Sequence, residues 1–256
     1  MNFKEYGKGN NETIILLHGG GLSWWNYRKE AEALENKYNV IIPILDGHAE
    51  SDRSFTSIND NADEIIKYIN KNHNGHVCLI GGVSLGAQIL VEILSKKSDI
   101  CDYAIIESAL VEPMKIVSNL LKPSLDMSFG LISKKWFAKA QFKSLKIKED
   151  LFEEYYKDTC KIKKEDMITF LKENSNYSIK ESIKNIKAKV LILVGSKERN
   201  IMKKSAKKLN ELIPNCNMKI LDGYYHGDLS INHVDEYVEI LLNFIEKKEK
   251  NENIKK

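Results

Sequence analysis

A chain of 256 residues, 43% hydrophobic and 29% charged, is long enough to close a full core without disulfide or metal staples, and its composition is that of a soluble globular protein. The formal charge of +3, with lysines spread along the whole chain, excludes the basic stripe of a nucleic-acid-binding module. No apolar run nears the ~18 residues that a membrane span requires, and the N-terminal stretch "MNFKEYGKGNNET" has no apolar leader region, so a reducing cytoplasm is the expected location. The four cysteines, Cys78, Cys101, Cys160 and Cys216, form no C-x-x-C pair and have no histidine at metal-ligand spacing; Cys78 and Cys101 read as small buried hydrophobes.

In chain order, "TIILL" (Thr13 to Leu17) is a short β-branched run that stops at glycines and reads as a buried strand. A helical pattern follows through "NYRKEAEALENKY", then a second buried strand, "NVIIPIL". Ile58, Ala62, Ile65, Ile66 and Ile69 recur at helical spacing behind a capping-type start. "HVCLIGG" is a strand, "LGAQILVEILSKK" a helix, "DYAIIES" a strand. After a long interval come the strand "AKVLILVG", the helix "MKKSAKKLNELI", the strand "NMKILDG" and the closing helix "HVDEYVEILLNFIEKKEK". Such alternation implies an α/β fold whose mostly parallel sheet is covered by helices on both faces. It breaks once, between Glu107 and Lys187, where three helical patterns but no buried strand are found; this stretch reads as an all-helical insertion. The end, "EKKEKNENIKK", reads as a charged, frayed tail.

Gly82-Val83-Ser84-Leu85-Gly86 fits G-x-S-x-G between a strand and a helix. A turn that sharp strains its middle residue, needs small neighbours two positions away, and pushes the serine hydroxyl out of the sheet's carboxyl end, at a helix N-terminus that favours developing negative charge. Three further features fall at the same sheet end. His18-Gly19-Gly20-Gly21 closes the first strong strand, and the N–H of Gly20 or Gly21, with that of Leu85, can hold an oxyanion; the spacing fits no phosphate-binding G-x-G-x-x-G loop. Glu198 lies just past a strand end, where a carboxylate can orient an imidazole. His226 follows the last strand and is the one histidine of six with both the position and the chain order of a general base.

With Ser84, Glu198 and His226 in that order, the chain resembles the α/β-hydrolase superfamily. "HGGGLSWW", "ILDGHAESD", "GGVSLGAQ", "LVGSKE" and "YYHG" look like its oxyanion loop, the loop after its next strand, its nucleophile elbow, its acid loop and its histidine loop, so the resemblance runs from His18 to Gly227. It is closest to small hydrolases with a helical cap. It implies a sheet of about seven strands, a core domain of residues 1–108 and 187–248, a cap of residues 109–186, and a disordered tail of residues 249–256. The leading antiparallel hairpin of larger relatives is expected to shrink to one edge strand, "NFKEYG". The resemblance further implies acyl transfer through a serine ester, with Ser84 as nucleophile and His226 as base, on a small-molecule acyl substrate and without metal or organic cofactor.

The acid is expected to be Glu198, where the superfamily more often has aspartate; Glu107, ending "AIIES", is the rival. A carboxylic ester is the expected bond. An amide, a thioester or a C–C bond stays open, as do an aminopeptidase, a lyase and a non-catalytic small-molecule receptor. Trp24 and Trp25 follow the oxyanion glycines, one expected at an acyl pocket and the other under the cap, with core anchoring of both as the alternative. Trp136, Phe137 and Phe142 are candidates to roof an apolar cavity. Asp46 and His48 are expected to shape a turn, with no chemistry assigned.

Overall fold

Neighbouring residues of a strand point to opposite faces of its sheet, and here that alternation sorts the core into two layers. The computed structural model describes the backbone of residues 1–253 and the side chains of residues 1–246. Seven strands, β1 (Asn2–Tyr6), β2 (Thr13–Leu17), β3 (Asn39–Ile44), β4 (Val77–Val83), β5 (Cys101–Glu107), β6 (Lys189–Gly195) and β7 (Cys216–Leu221), form one sheet in the order β1-β3-β2-β4-β5-β6-β7. Every pairing is parallel except that of β1, the edge strand at one end of the sheet, which runs antiparallel to β3 from Asn2↔Ile44 to Tyr6↔Val40.

The helices are α1 (Arg28–Leu34), α2 (Ile58–Asn72), α3 (Leu85–Lys96), α4 (Lys115–Ser128), α5 (Lys135–Ser144), α6 (Phe152–Thr159), α7 (Lys164–Asn176), α8 (Asn200–Leu212), α9 (Asp228–Asn232) and α10 (Val234–Asn253). Ile15, Ile41, Ile80, Ile106 and Ile192 face one layer, which holds the buried sides of α2, α3 and α8. Ile14, Leu16, Leu79, Ile105 and Leu193 face the other, with Leu34 of α1 and Tyr237 and Leu241 of α10. Each such fully buried aliphatic side chain contributes about 1.5–3 kcal/mol. Helix α2 starts where expected because the Ser57 hydroxyl accepts the N–H of Asp60 at 3.0 Å.

Between β5 and β6 the described chain is helical and contains no strand, as the sequence indicated. Three of this insertion's ties to the core are buried or nearly so. The Trp25 indole N–H donates to Asp158 at 3.0 Å, beside an apolar cluster of Leu22, Phe142, Leu151 and Phe152. Asp166 of α7 accepts the N–H of Phe55 at 2.8 Å. Gln88 of α3 donates to the carbonyls of Leu110 and Asn174 at 2.6 and 2.9 Å. At the C-terminus the backbone of α10 stays helical through Asn253, across most of the stretch 249–256 expected to be a disordered tail; its Lys and Glu residues are strong helix formers. Residues 254–256 of that stretch lie outside the described residues.

Candidate active site

Ser84 alone separates β4 from α3, and its backbone sits at φ 53°, ψ −114°. A side chain held there costs on the order of 1–3 kcal/mol and persists only where its surroundings impose it. They do so in two ways. The Ser84 N–H donates to the Glu107 carbonyl at 2.9 Å, continuing the sheet into the turn. The flanking glycines leave no room for anything larger: a Cβ on Gly82 would lie 2.6 Å from the Gly86 carbonyl oxygen, and one on Gly86 would lie 2.1 Å from that of Leu17.

The imidazole of His226 lies between the serine and a carboxylate. Its Nε2 is 2.9 Å from Ser84 Oγ and its Nδ1 is 2.7 Å from Glu198 Oε2. Glu198 is fully buried at the end of β6, where its Oε1 accepts both the N–H of Gly195 and the hydroxyl of Ser108, each at 2.8 Å. The Ser108 oxygen in turn accepts the N–H of Gly227 at 3.2 Å, which links the acid to the loop that carries His226. Asp228 closes that loop by accepting the Tyr225 N–H at 3.0 Å. With Nδ1–H donated to Glu198, Nε2 is left as the acceptor for the serine proton. Ser108 was not singled out in the sequence, although it ends the quoted strand "DYAIIES".

The two glycines proposed for the oxyanion loop differ. Gly21 donates its N–H to His48 Nε2 at 3.0 Å and is committed to the loop's own structure. Among the described residues the Gly20 and Leu85 N–H groups have no acceptor, and a Cβ on Gly20 would be 3.4 Å from the Leu85 side chain, so these two donors are neighbours. Two buried histidines brace the loop, beyond the turn-shaping expected of His48. His48 Nδ1–H donates to the Asp46 carbonyl at 3.0 Å, and His18, with Nδ1–H on the Gly19 carbonyl at 2.9 Å, accepts the Leu45 N–H on Nε2 at 3.1 Å. Burial pulls His18 down to about 3, with the neighbouring His48 adding to the effect, and pulls His48 down to about 4. Both stay neutral, as acceptor nitrogens must.

A cavity of about 60 Å³ opens over Ser84, walled by Leu22, Val83, Leu145, Ile147 and Ile231. None of the tryptophans singled out in the sequence lines it. Trp24 lies at the surface, with Lys4 and Arg28 over its ring; Trp25 is an anchor under the insertion; Trp136 is 65% exposed. Helical spacing alone does not say which face of α5 turns inward, and Phe142, not Trp136, is the buried one. Phe142 belongs to the cluster around Trp25 rather than to the cavity wall.

Glu107, the rival acid, is buried behind the site rather than against the imidazole. Its Oε1 accepts the Ser230 N–H at 3.4 Å and its Oε2 has no partner among the described residues. It shares the interior with Glu30, Tyr27 and Tyr237. Burial is the main cause that pushes Glu107 up to about 7, and it pushes Glu30 up to about 8. Among the described residues no group of three or more His, Cys, Asp or Glu side chains could hold a metal ion.

The family model for serine aminopeptidase, S33, matches residues 9–230. The chain belongs to this family of α/β-hydrolases. Solved structures agree on the fold. An esterase from Exiguobacterium antarcticum superposes with a TM-score of 0.80 at 15% identity, over 95% of this chain and 94% of that one. An enol-lactonase from Burkholderia xenovorans gives 0.80 at 14% identity, over 95% of both chains. A lipase-esterase related protein from Clostridium acetobutylicum gives 0.76 at 20% identity, over 95% and 98%. The seven-stranded, mostly parallel sheet flanked by helices is thus an α/β-hydrolase fold, and no described helix is long and apolar enough to cross a membrane.

Proposed function

We propose that this α/β-hydrolase cleaves a small carboxylic ester, or a related acyl bond, through an acyl-enzyme on Ser84. The observation that carries the reading is the continuous line from Ser84 Oγ through His226 to Glu198, with steps of 2.9 and 2.7 Å. His226 takes the serine proton as Ser84 Oγ bonds to the carbonyl carbon. The tetrahedral oxyanion forms between the N–H groups of Gly20 and Leu85, each such donor being worth about 3 kcal/mol of barrier. His226 then protonates the leaving alcohol, and the same cycle with water releases the acid. Glu198 orients the imidazole and stabilises the imidazolium. The insertion at 109–186 serves as a cap over the core of 1–108 and 187–248, and Leu145 and Ile147 from it wall the cavity.

An ester is favoured over a peptide N-terminus because, among the described residues, the cavity wall holds no carboxylate that could anchor a free amine. A fluorophosphonate probe tests the nucleophile. Labelling of wild type but not of Ser84→Ala is expected, whereas folded protein that resists the probe would be a receptor or a lyase. A panel of acyl esters of graded chain length, run beside an aminoacyl amide, tests the bond; faster cleavage of the amide would overturn the ester reading.

A further inference from the structure

Nine large apolar side chains of the described residues stand exposed, and seven of them fall between positions 116 and 145. Their arrangement on α4 is regular. Ile116, Leu120 and Met127 are 80%, 62% and 87% exposed, and with the exposed Pro123 they occupy positions i, i+4, i+7 and i+11, one face of a helix. This is not the face that holds the helix in place. Ser118 is buried and accepts from Asn176 at 2.7 Å, the Met114 N–H donates to the Ser175 carbonyl at 2.7 Å, and Leu125 packs on the core. Helix α4 therefore has one apolar side used in folding and a second turned to solvent.

The same segment concentrates positive charge. Residues 113–148 contain eight lysines and one acid, Asp126, a formal +7 in a chain whose total is +3, so the rest of the protein carries −4. Asp126 is itself bridged to Lys122 and Lys164 at 2.9 and 2.7 Å. Lys115, Lys134 and Lys143 are exposed and, among the described residues, have no acidic partner. Two copies of this face would repel one another. On α4 itself the exposed Lys115 and Lys122 accompany the stripe, and exposed aliphatic side chains beside long cationic ones suit a surface that is apolar in depth and anionic at its rim.

We propose that the outer face of α4 docks on an anionic phospholipid bilayer, the Ile116–Leu120–Met127 stripe entering the acyl boundary and the lysines of residues 113–148 meeting headgroup phosphates. The proposal does not rest on the esterase reading, because binding is measured without turnover.

The test is co-sedimentation of the full chain with vesicles of phosphatidylcholine alone and of phosphatidylcholine with one-quarter phosphatidylglycerol. Binding should be about tenfold stronger on the anionic vesicles and should weaken with added salt. Ile116→Ser/Leu120→Ser/Met127→Ser should lose about tenfold in binding while keeping the wild-type circular dichroism and melting midpoint. Lys115→Glu/Lys134→Glu/Lys143→Glu, all surface positions, should abolish the preference for anionic vesicles. Equal binding to both vesicle types, no binding of folded wild type to either, or wild-type binding by the folded serine variant would each overturn the proposal. So would light scattering that shows a wild-type dimer converted to monomer by the serine substitutions, which would make the stripe a self-interface.

Discussion

Ser108 donates its hydroxyl to Glu198 Oε1 at 2.8 Å, from the residue directly after the strand that ends in the rival acid. Because the same oxygen accepts the Gly227 N–H, one side chain holds both the carboxylate and the base loop of the proposed triad. Ser108→Ala should leave Gly227 N–H unpaired and Glu198 one donor short. We expect kcat on an ester to fall roughly tenfold, about 1.4 kcal/mol, with KM little changed. Unchanged kcat would show that Gly195 alone suffices to fix the acid.

Glu198→Gln and Glu107→Gln should separate cleanly. The first removes the charge 2.7 Å from Nδ1 and should cost on the order of 10⁴-fold in kcat. The second alters a carboxyl bonded to Ser230 and not to the imidazole, and should cost less than about tenfold, the size of one ordinary hydrogen bond. A crippled, folded Glu107→Gln beside an active Glu198→Gln would reverse the assignment of the acid.

The buried Glu30 and Glu107 set an alkaline limit on stability. Both are raised in the folded state, so the native protein binds more protons than the unfolded chain between the ordinary glutamate value of 4.5 and about 7 for Glu107 or about 8 for Glu30. Their contribution is complete below 4.5 and is lost as pH rises through that window. Glu30→Gln, neutral at every pH, should therefore flatten the decline and be more stable than wild type above pH 8, by on the order of 2–4 kcal/mol in denaturant titrations. A parallel decline in wild type and variant would locate the alkaline limit elsewhere.

His18 and His48 set an acid limit. Their folded values, about 3 and about 4, lie below the ordinary 6.5, so the unfolded chain binds more protons and stability is lost as pH falls from 6.5 toward 4. His48→Gln retains a neutral acceptor for the Gly21 N–H and should lessen that loss. His48→Ala orphans the donor and should destabilise by about 1–3 kcal/mol even at neutral pH. If both variants follow the wild-type acid limb, His48 is not among the groups responsible.

Particular residues show how much of this could be read from the chain. The Ser84 elbow was legible because its requirements are local: a strained turn, small neighbours, and an apolar strand and helix on either side. The sheet was legible because runs such as "TIILL" and "LILVG" can only be buried on both faces. Two helices escaped. Helix α9 has five residues, and α4 carries Pro123 and apolar residues on two sides, which blurs its period.

The succession of strands and helices along the chain, the elbow and the expected grouping of Ser84, Glu198 and His226 at one sheet end were legible in the sequence itself, since each depends on residue types within a few positions or on the rule that parallel strands present the same end. Only the tertiary structure puts Glu198 rather than Glu107 against the imidazole, pairs the Gly21 N–H with His48 while leaving that of Gly20 without an acceptor among the described residues, and shows which aromatic side chains turn inward. Those choices depend on the pleat of adjacent strands and on which N–H already has a partner. A hydrogen bond such as Gly21 to His48, 27 residues apart, leaves no trace in local pattern.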